Sequence, residues 1–159
     1  MDDSVRRLFI AYRLIIQIDP SLHDIYGDVD LSDQTISVDH FVPWQYVAHD
    51  ELWNLHPTTR SINSSKSNLL PAWDVYFDSL GEIEFRAYRM KSEHELIARE
   101  FNKIAPYHLN NQEIRNQLYA DGLSESEFKT RLDHIIRPVY ESAKNCGFRE
   151  WRYSEGNCV

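Results

Sequence analysis

A run of β-branched residues, Thr35-Ile36-Ser37-Val38, alternates in period two and leads straight into a carboxylate beside an imidazole, Asp39-His40. Such a run predicts a strand, which puts the reactive pair at a strand's end. Pro43 to Asp50 then reads as an ordered loop, aromatic through Trp44 and Tyr46, and Leu52 to Leu55 as a second strand returning beside the first. After Pro57-Thr58-Thr59, the segment from about Arg60 to Ser67 has the length of a short helix, closed at or before Pro71. Strand, loop, strand, helix is the plan, and it constrains everything around it.

The flanks read as helical support. Val5, Leu8, Phe9, Tyr12 and Ile16 recur at helical spacing behind Ser4, which predicts an amphipathic helix over 4–18 that Asp19-Pro20 ends. His23 to Asp33 is turn-rich and acidic, with Gly27 the expected positive-φ position. Beyond Pro71 one stripe runs through Tyr76, Leu80, Ile83 and Ala87. Further helix starts are expected at Ser92-x-x-Glu95, Asn110-x-x-Glu113 and Ser124-x-x-Glu127, with stops at Asp121-Gly122 and Gly147 and a kink at Pro138. No chemistry is legible in that half.

Composition limits the function classes. The 159 residues are 42% hydrophobic and 13% aromatic, which excludes a disordered chain, and five glycines and six prolines exclude collagenous or low-complexity readings. No apolar run, Leu14 to Ile16 included, is long enough to cross a bilayer, and residues 1–18 lack a signal peptide's apolar centre, so the expected location is cytoplasmic with no membrane partner. Cys146 and Cys158 have no histidine near them in sequence and are expected to be reduced and incidental.

The formal charge of -8 works against unaided binding to a polyanion. Its distribution matters more than its sum: residues 1–38 hold seven acids against three bases, but residues 39–70 hold three against two. A divalent cation would nearly neutralise that central stretch. A nucleic acid bound there would still want basic surface from a partner protein or another domain.

Cutting a phosphodiester takes an activated water, an electrophile for the charged oxygens and help for the leaving alkoxide. Asp39 offers a hard-oxygen metal ligand, and Asn63, arriving from the helix through its amide oxygen, offers a second. His40 should face away from Asp39, because side chains alternate along a strand, and is suited to act as general base. Asn54 could hold the His40 backbone or ring across the loop. Lys66, one turn after Asn63, and Arg60 are candidates for phosphate contacts. Taken singly each has a bland reading, the Asp-His pair as a solvated turn above all, and their joint occurrence carries the weight. His23, His49, His56, His94, His108 and His134 read as surface or structural, and the spacing of His40, His49 and His56 fits no usual zinc pattern.

These residues resemble the HNH (ββα-metal) endonuclease family. The likeness is carried by Val38-Asp39-His40-x-x-Pro43, by Asp50 four residues before Asn54-Leu55, and by Asn63-x-x-Lys66-Ser67. The intervals are similar to those of the HNH domain in RNA-guided CRISPR nucleases, and Trp44, His49 to Asn54 and Ile62 to Ser67 resemble the HNH region ending larger prokaryotic proteins. The resemblance implies His40 as base, Asp39 and Asn63 as metal ligands and Asn54 as the structural residue of the loop.

Many relatives carry Cys-x-x-Cys pairs that bind a structural zinc; here Ile25-Tyr26-Gly27 stands where the first would fall, and Thr59 and Ile62 where the second would. No structural zinc is therefore expected, and Asn63 in place of a second histidine favours Mg²⁺ or Mn²⁺. The expected fold is α+β, a ββα-metal core at 35–70 embedded in one mostly helical domain, with a helix and loop at 1–34 and a helical extension at 71–159. The expected function is metal-dependent DNA cleavage, in restriction or phage defence by the company such families keep. The rival reading is a non-cutting binding or assembly module on the same fold.

Overall fold

The computed structural model describes residues 3–107 and 116–154. Strand β1, Ile36–His40, pairs antiparallel with β2, Leu55–Thr59, setting Val38 opposite Pro57 and Asp39 opposite His56. Helix α3, Arg60–Lys66, follows β2 without a linker. Thr59 makes that abrupt change possible: its Oγ1 accepts a hydrogen bond from the Ile62 amide at 3.2 Å, which satisfies one of the unpaired donors of the first helical turn. Ile62 is itself buried, so cap and core residue together fix how α3 lies on the strands.

The second strand begins later than its sequence suggests. Leu52–Asn54 wind into a 3-10 turn, and pairing starts at Leu55. The expectation of a strand over Leu52 to Leu55 followed the apolar residues, whereas the strand that forms is Leu55-His56-Pro57-Thr58-Thr59, all buried. Pro57 lacks an amide donor but is tolerated because β2 pairs with β1 alone in a two-stranded sheet. The aromatic loop likewise contains a one-turn helix, α2, Trp44–Val47, ended by Ala48 at φ 56.

Helices enclose this unit, giving an α+β fold. Helix α1, Asp3–Ile18, buries Leu8, Ala11, Tyr12, Ile15 and Ile16 and packs mainly on α5, Glu95–Ile104. Helix α4, Trp73–Glu93, lies against α5 and against α6, Glu125–Asn145. The Ser124/Glu127 capping box opens α6 as its spacing implies, Pro138 lies inside it without ending it, and Gly147 at φ +96 follows its end. Gly122 also takes a positive φ. The Ser92-x-x-Glu95 box does not form: α4 runs through Ser92, whose hydroxyl donates back to the Arg89 carbonyl, and His94 stands at the start of α5. The Asn110-x-x-Glu113 start lies outside the described residues. Among the described residues no helix is long and apolar enough to cross a membrane.

Strand pairing and a tyrosine hydrogen bond help tie the C-terminal half to the ββα unit. Strand β3, Leu70–Pro71, pairs in parallel with β4, Glu150–Trp151, and the Tyr140 hydroxyl of α6 donates to the Pro71 carbonyl at 2.8 Å. Trp151 then meets Tyr26 edge-on at 5.1 Å, and Tyr76 meets Tyr26 at 5.2 Å. The turn that carries Tyr26 is built on the buried Asp24 carboxylate, which accepts from the amides of Tyr26, Gly27 and Val29 and from the Thr58 hydroxyl on β2. The positive φ of this turn falls on Asp28, at 52°, and not on Gly27. Gly27 is small for another reason: a Cβ there would meet the Tyr153 ring at 2.8 Å.

A buried polar contact joins α1, β2 and α4. The Tyr12 hydroxyl lies 3.1 Å from Glu84 Oε1 and 3.3 Å from the Leu55 carbonyl at the start of β2. Burial pushes the Glu84 carboxyl well above the usual range, and the Tyr12 hydrogen bond only partly opposes it. A group raised in the folded state adds stability below its unfolded pKa and loses it as pH climbs through the folded one. Glu84→Gln, which keeps the acceptor and removes the charge, should therefore gain melting temperature over the parent as pH rises from about 4 to about 8. Thermal melts of both proteins across that range check this, and a constant difference would refute it.

Candidate active site

Asp39 lies at the centre of the ββα unit and is almost fully buried. The Lys66 ammonium, from the last turn of α3, sits 3.2 Å from its carboxylate and donates to the His40 carbonyl at 2.7 Å. Tyr26 donates its hydroxyl to Asp39 Oδ2 at 2.8 Å, and His56 Nε2 lies 3.0 Å from the Tyr26 oxygen and 3.5 Å from Oδ2. Nε2 can therefore donate to Tyr26 while Tyr26 donates to Asp39, which leaves His56 Nδ1 as the buried nitrogen without a hydrogen-bond partner. Burial alone would raise the Asp39 pKa, but the Lys66 charge, the neighbouring His56 ring and the Tyr26 hydrogen bond outweigh it and hold it below the usual carboxylate range. Burial pushes the Lys66 ammonium down, against the pull of Asp39. It also keeps the Tyr26 hydroxyl protonated, with Asp39 adding to the effect.

His40 turns a different way. Its Nε2 lies 2.7 Å from Asp50 Oδ1, and Asp50 Oδ2 accepts from the Ser4 hydroxyl at 3.0 Å. Burial lowers the His40 pKa below the ordinary imidazole value, and Asp50 opposes this without cancelling it. The imidazole is thus neutral at neutral pH.

Asn63 projects from α3 toward β1, its Nδ2 donating to Ser37 Oγ at 2.9 Å and to the Val38 carbonyl at 3.3 Å. With the amide nitrogen committed, Oδ1 remains as an acceptor that no hydrogen bond among the described residues uses. Asp39, His40, Asn63 and Lys66 line one open pocket of about 230 Å³, with Trp44 half exposed on its rim. The structure therefore brings together four residues singled out from sequence.

The other two stand apart from the pocket. Asn54 is fully buried and clamps the loop after His40: Oδ1 accepts from the Val42 amide at 2.7 Å, Nδ2 donates to the Val42 carbonyl at 2.8 Å, and the Asn54 carbonyl accepts from Phe41. It holds the backbone two residues beyond His40 and does not touch the ring. Arg60 is exposed at the first residue of α3. Lys66, expected to reach outward to phosphate, is buried, with its ammonium on Asp39.

Residues 24–72 match the HNH endonuclease family. The HNH match starts at Asp24, the carboxylate that organises the Tyr26 turn, and ends at Ala72, just past β3, so it covers the ββα unit and the turn packed on it. No curated protein and no solved structure gave a match. An HNH segment points to nuclease activity on nucleic acid, and endonucleases of this kind use divalent metal ions.

The pocket's donor set suits a hard cation. Among the described residues no three His, Cys, Asp or Glu side chains gather as a metal site. What the HNH segment offers is a carboxylate kept ionised and an uncommitted amide oxygen in the lining of one pocket, the sparse oxygen set that Mg²⁺ takes while keeping several waters.

Sequence reasoning missed Tyr26, His56 and Lys66 as the shell around Asp39, and Asp50 as the partner of His40. The pairing of β1 with β2 sets His56 opposite Asp39, so a correct strand register would have found it. Tyr26 and Ser4 reach the site only through tertiary packing. Removing one member of a buried ion pair leaves the other uncompensated, a loss of about 3–5 kcal/mol. Lys66→Met should thus lose about 3 kcal/mol in chemical denaturation, and an unchanged midpoint would contradict the pairing.

Proposed function

We propose that this protein is a metal-dependent endonuclease that hydrolyses DNA phosphodiester bonds at the pocket between β1 and α3. The observation that carries the reading is the convergence of Asp39, His40 and Asn63 on that pocket within the segment matching HNH endonucleases. Asp39 and Asn63 would hold one Mg²⁺ or Mn²⁺, which when bound supplies positive charge to the non-bridging and leaving oxygens. His40 takes the proton from the attacking water; its pKa lies below the ordinary imidazole value, so the ring is the free base at neutral pH. Asn54 keeps the Phe41-Val42 backbone in place and so fixes where His40 leaves β1.

Lys66 acts from beneath. Its ammonium keeps Asp39 ionised and ties that carboxylate to the His40 carbonyl, a role in holding the ligand and not in gripping phosphate. Arg60, exposed at the start of α3, remains the candidate for contact with the DNA backbone. With a formal charge of -8, the protein draws on further basic surface, from a partner or another domain, to hold DNA at physiological salt. Restriction or defence against phage is the setting in which such an activity fits.

Purified protein with Mg²⁺ or Mn²⁺ should nick or cut supercoiled plasmid, EDTA should stop it, and His40→Ala should lower the rate by about 10²- to 10⁴-fold while melting as the parent does. Gel assays of plasmid forms read this directly. Undiminished cutting by His40→Ala would remove His40 as the base, and no cutting under any metal would favour the binding-module reading.

A further inference from the structure

We propose that Asp50 is a positioning residue that fixes the tautomer of His40, and that Ser4 on α1 holds Asp50 in place for that task. The inference rests on His40 being the base of the reaction proposed above. A carboxylate accepts hydrogen bonds and cannot donate them, so the 2.7 Å contact between His40 Nε2 and Asp50 Oδ1 requires the proton on Nε2. In a neutral imidazole that choice leaves the lone pair on Nδ1. The nitrogen that takes a proton from water is therefore Nδ1, and the ring cannot turn to present Nε2 without breaking the Asp50 bond.

The second oxygen of Asp50 is what makes it a fixed partner. Oδ2 accepts from Ser4 Oγ at 3.0 Å, and Ser4 is 2% exposed on the first turn of α1. With one oxygen on the base and the other on a buried helix residue, the plane of the carboxylate is set by two elements far apart in sequence. The His40 and Asp50 side chains are 18% and 9% exposed, so water competes weakly for this bond. Asp50 itself lies on the connection between α2 and the Leu52–Asn54 turn, outside any strand or longer helix, and Ser4 supplies the rigidity its own segment lacks. The geometry thus makes α1 a working part of the site.

The test is ¹⁵N NMR of the imidazole rings of the metal-free protein, above the usual imidazole range, with His40 assigned by its loss in His40→Ala. The parent should show His40 as the Nε2–H tautomer, and Asp50→Asn should shift the population toward Nδ1–H. In metal-loaded cleavage of a DNA duplex, Asp50→Asn should lower kcat by about 10²-fold with KM within about twofold. Ser4→Ala, which leaves the carboxylate but frees it, should lower kcat by about two- to tenfold and keep the parent's melting temperature within a few degrees. An Nδ1–H tautomer in the parent, or Asp50→Asn cutting as fast as the parent, would overturn the proposal while His40→Ala stayed inactive. Cutting by His40→Ala would instead remove the base assignment and the proposal with it.

Discussion

The buried carboxylate of Asp39 is the point on which the rest of this molecule depends. An ionised group at that depth persists only if charge and hydrogen bonds replace the water it gave up. Two donors and a bridging imidazole do so: Lys66 from α3 and Tyr26 from the turn before β1 donate to it, and His56 from β2 supports Tyr26 from 3.5 Å away from the carboxylate. Each is itself held by a neighbour. Thr59 caps the helix that carries Lys66, Asp24 organises the turn that carries Tyr26, and the register of β1 against β2 delivers His56. Disturbing any of these supports alters the one carboxylate offered as a metal ligand.

That dependence gives the helical surround a purpose. Around the ββα unit this chain sets Tyr26 among Tyr76 and Trp151, presses Tyr153 on Gly27, and buries Ile62 under a Thr59 cap. Trp151 is brought there by β4 pairing with β3, and β3 is held by Tyr140 of α6. Helix α1 reaches the same unit twice, by Tyr12 at the Leu55 carbonyl and by Ser4 at Asp50. The ββα unit is short and its sheet has two strands, so packing from both flanks is the means by which it keeps its shape.

Much of this was legible in the sequence, and the reasons differ by element. β1 was readable because Ile36-Ser37-Val38 alternates, and α1 and α6 because their apolar stripes are long and, in α6, carry a capping box. β2 was misplaced because Leu55-His56-Pro57-Thr58-Thr59 carries no alternation; it is buried on all sides and stabilised by its partners. The box at Ser92 failed because α4 was already running through it, and a helix in progress outcompetes a cap. Asp39, His40 and Asn63 were readable as a group from their spacing. Lys66 was misjudged as an outward cation because periodicity places it on the same face as Asn63 without saying that this face is covered by β1. Asp50 stood among the residues that carry the family resemblance, yet its task emerges only when the chain brings Ser4 and His40 to either side of it.

The proposed function requires one divalent cation bound between β1 and α3. Paramagnetic broadening by substoichiometric Mn²⁺ in two-dimensional NMR spectra of the protein tests it most directly, because it reports position and not activity. Amide signals near Asp39, His40 and Asn63 should be lost first, and Asn63→Ala should restore them at the same Mn²⁺ concentration. Broadening centred elsewhere, or the same pattern in Asn63→Ala, would contradict it.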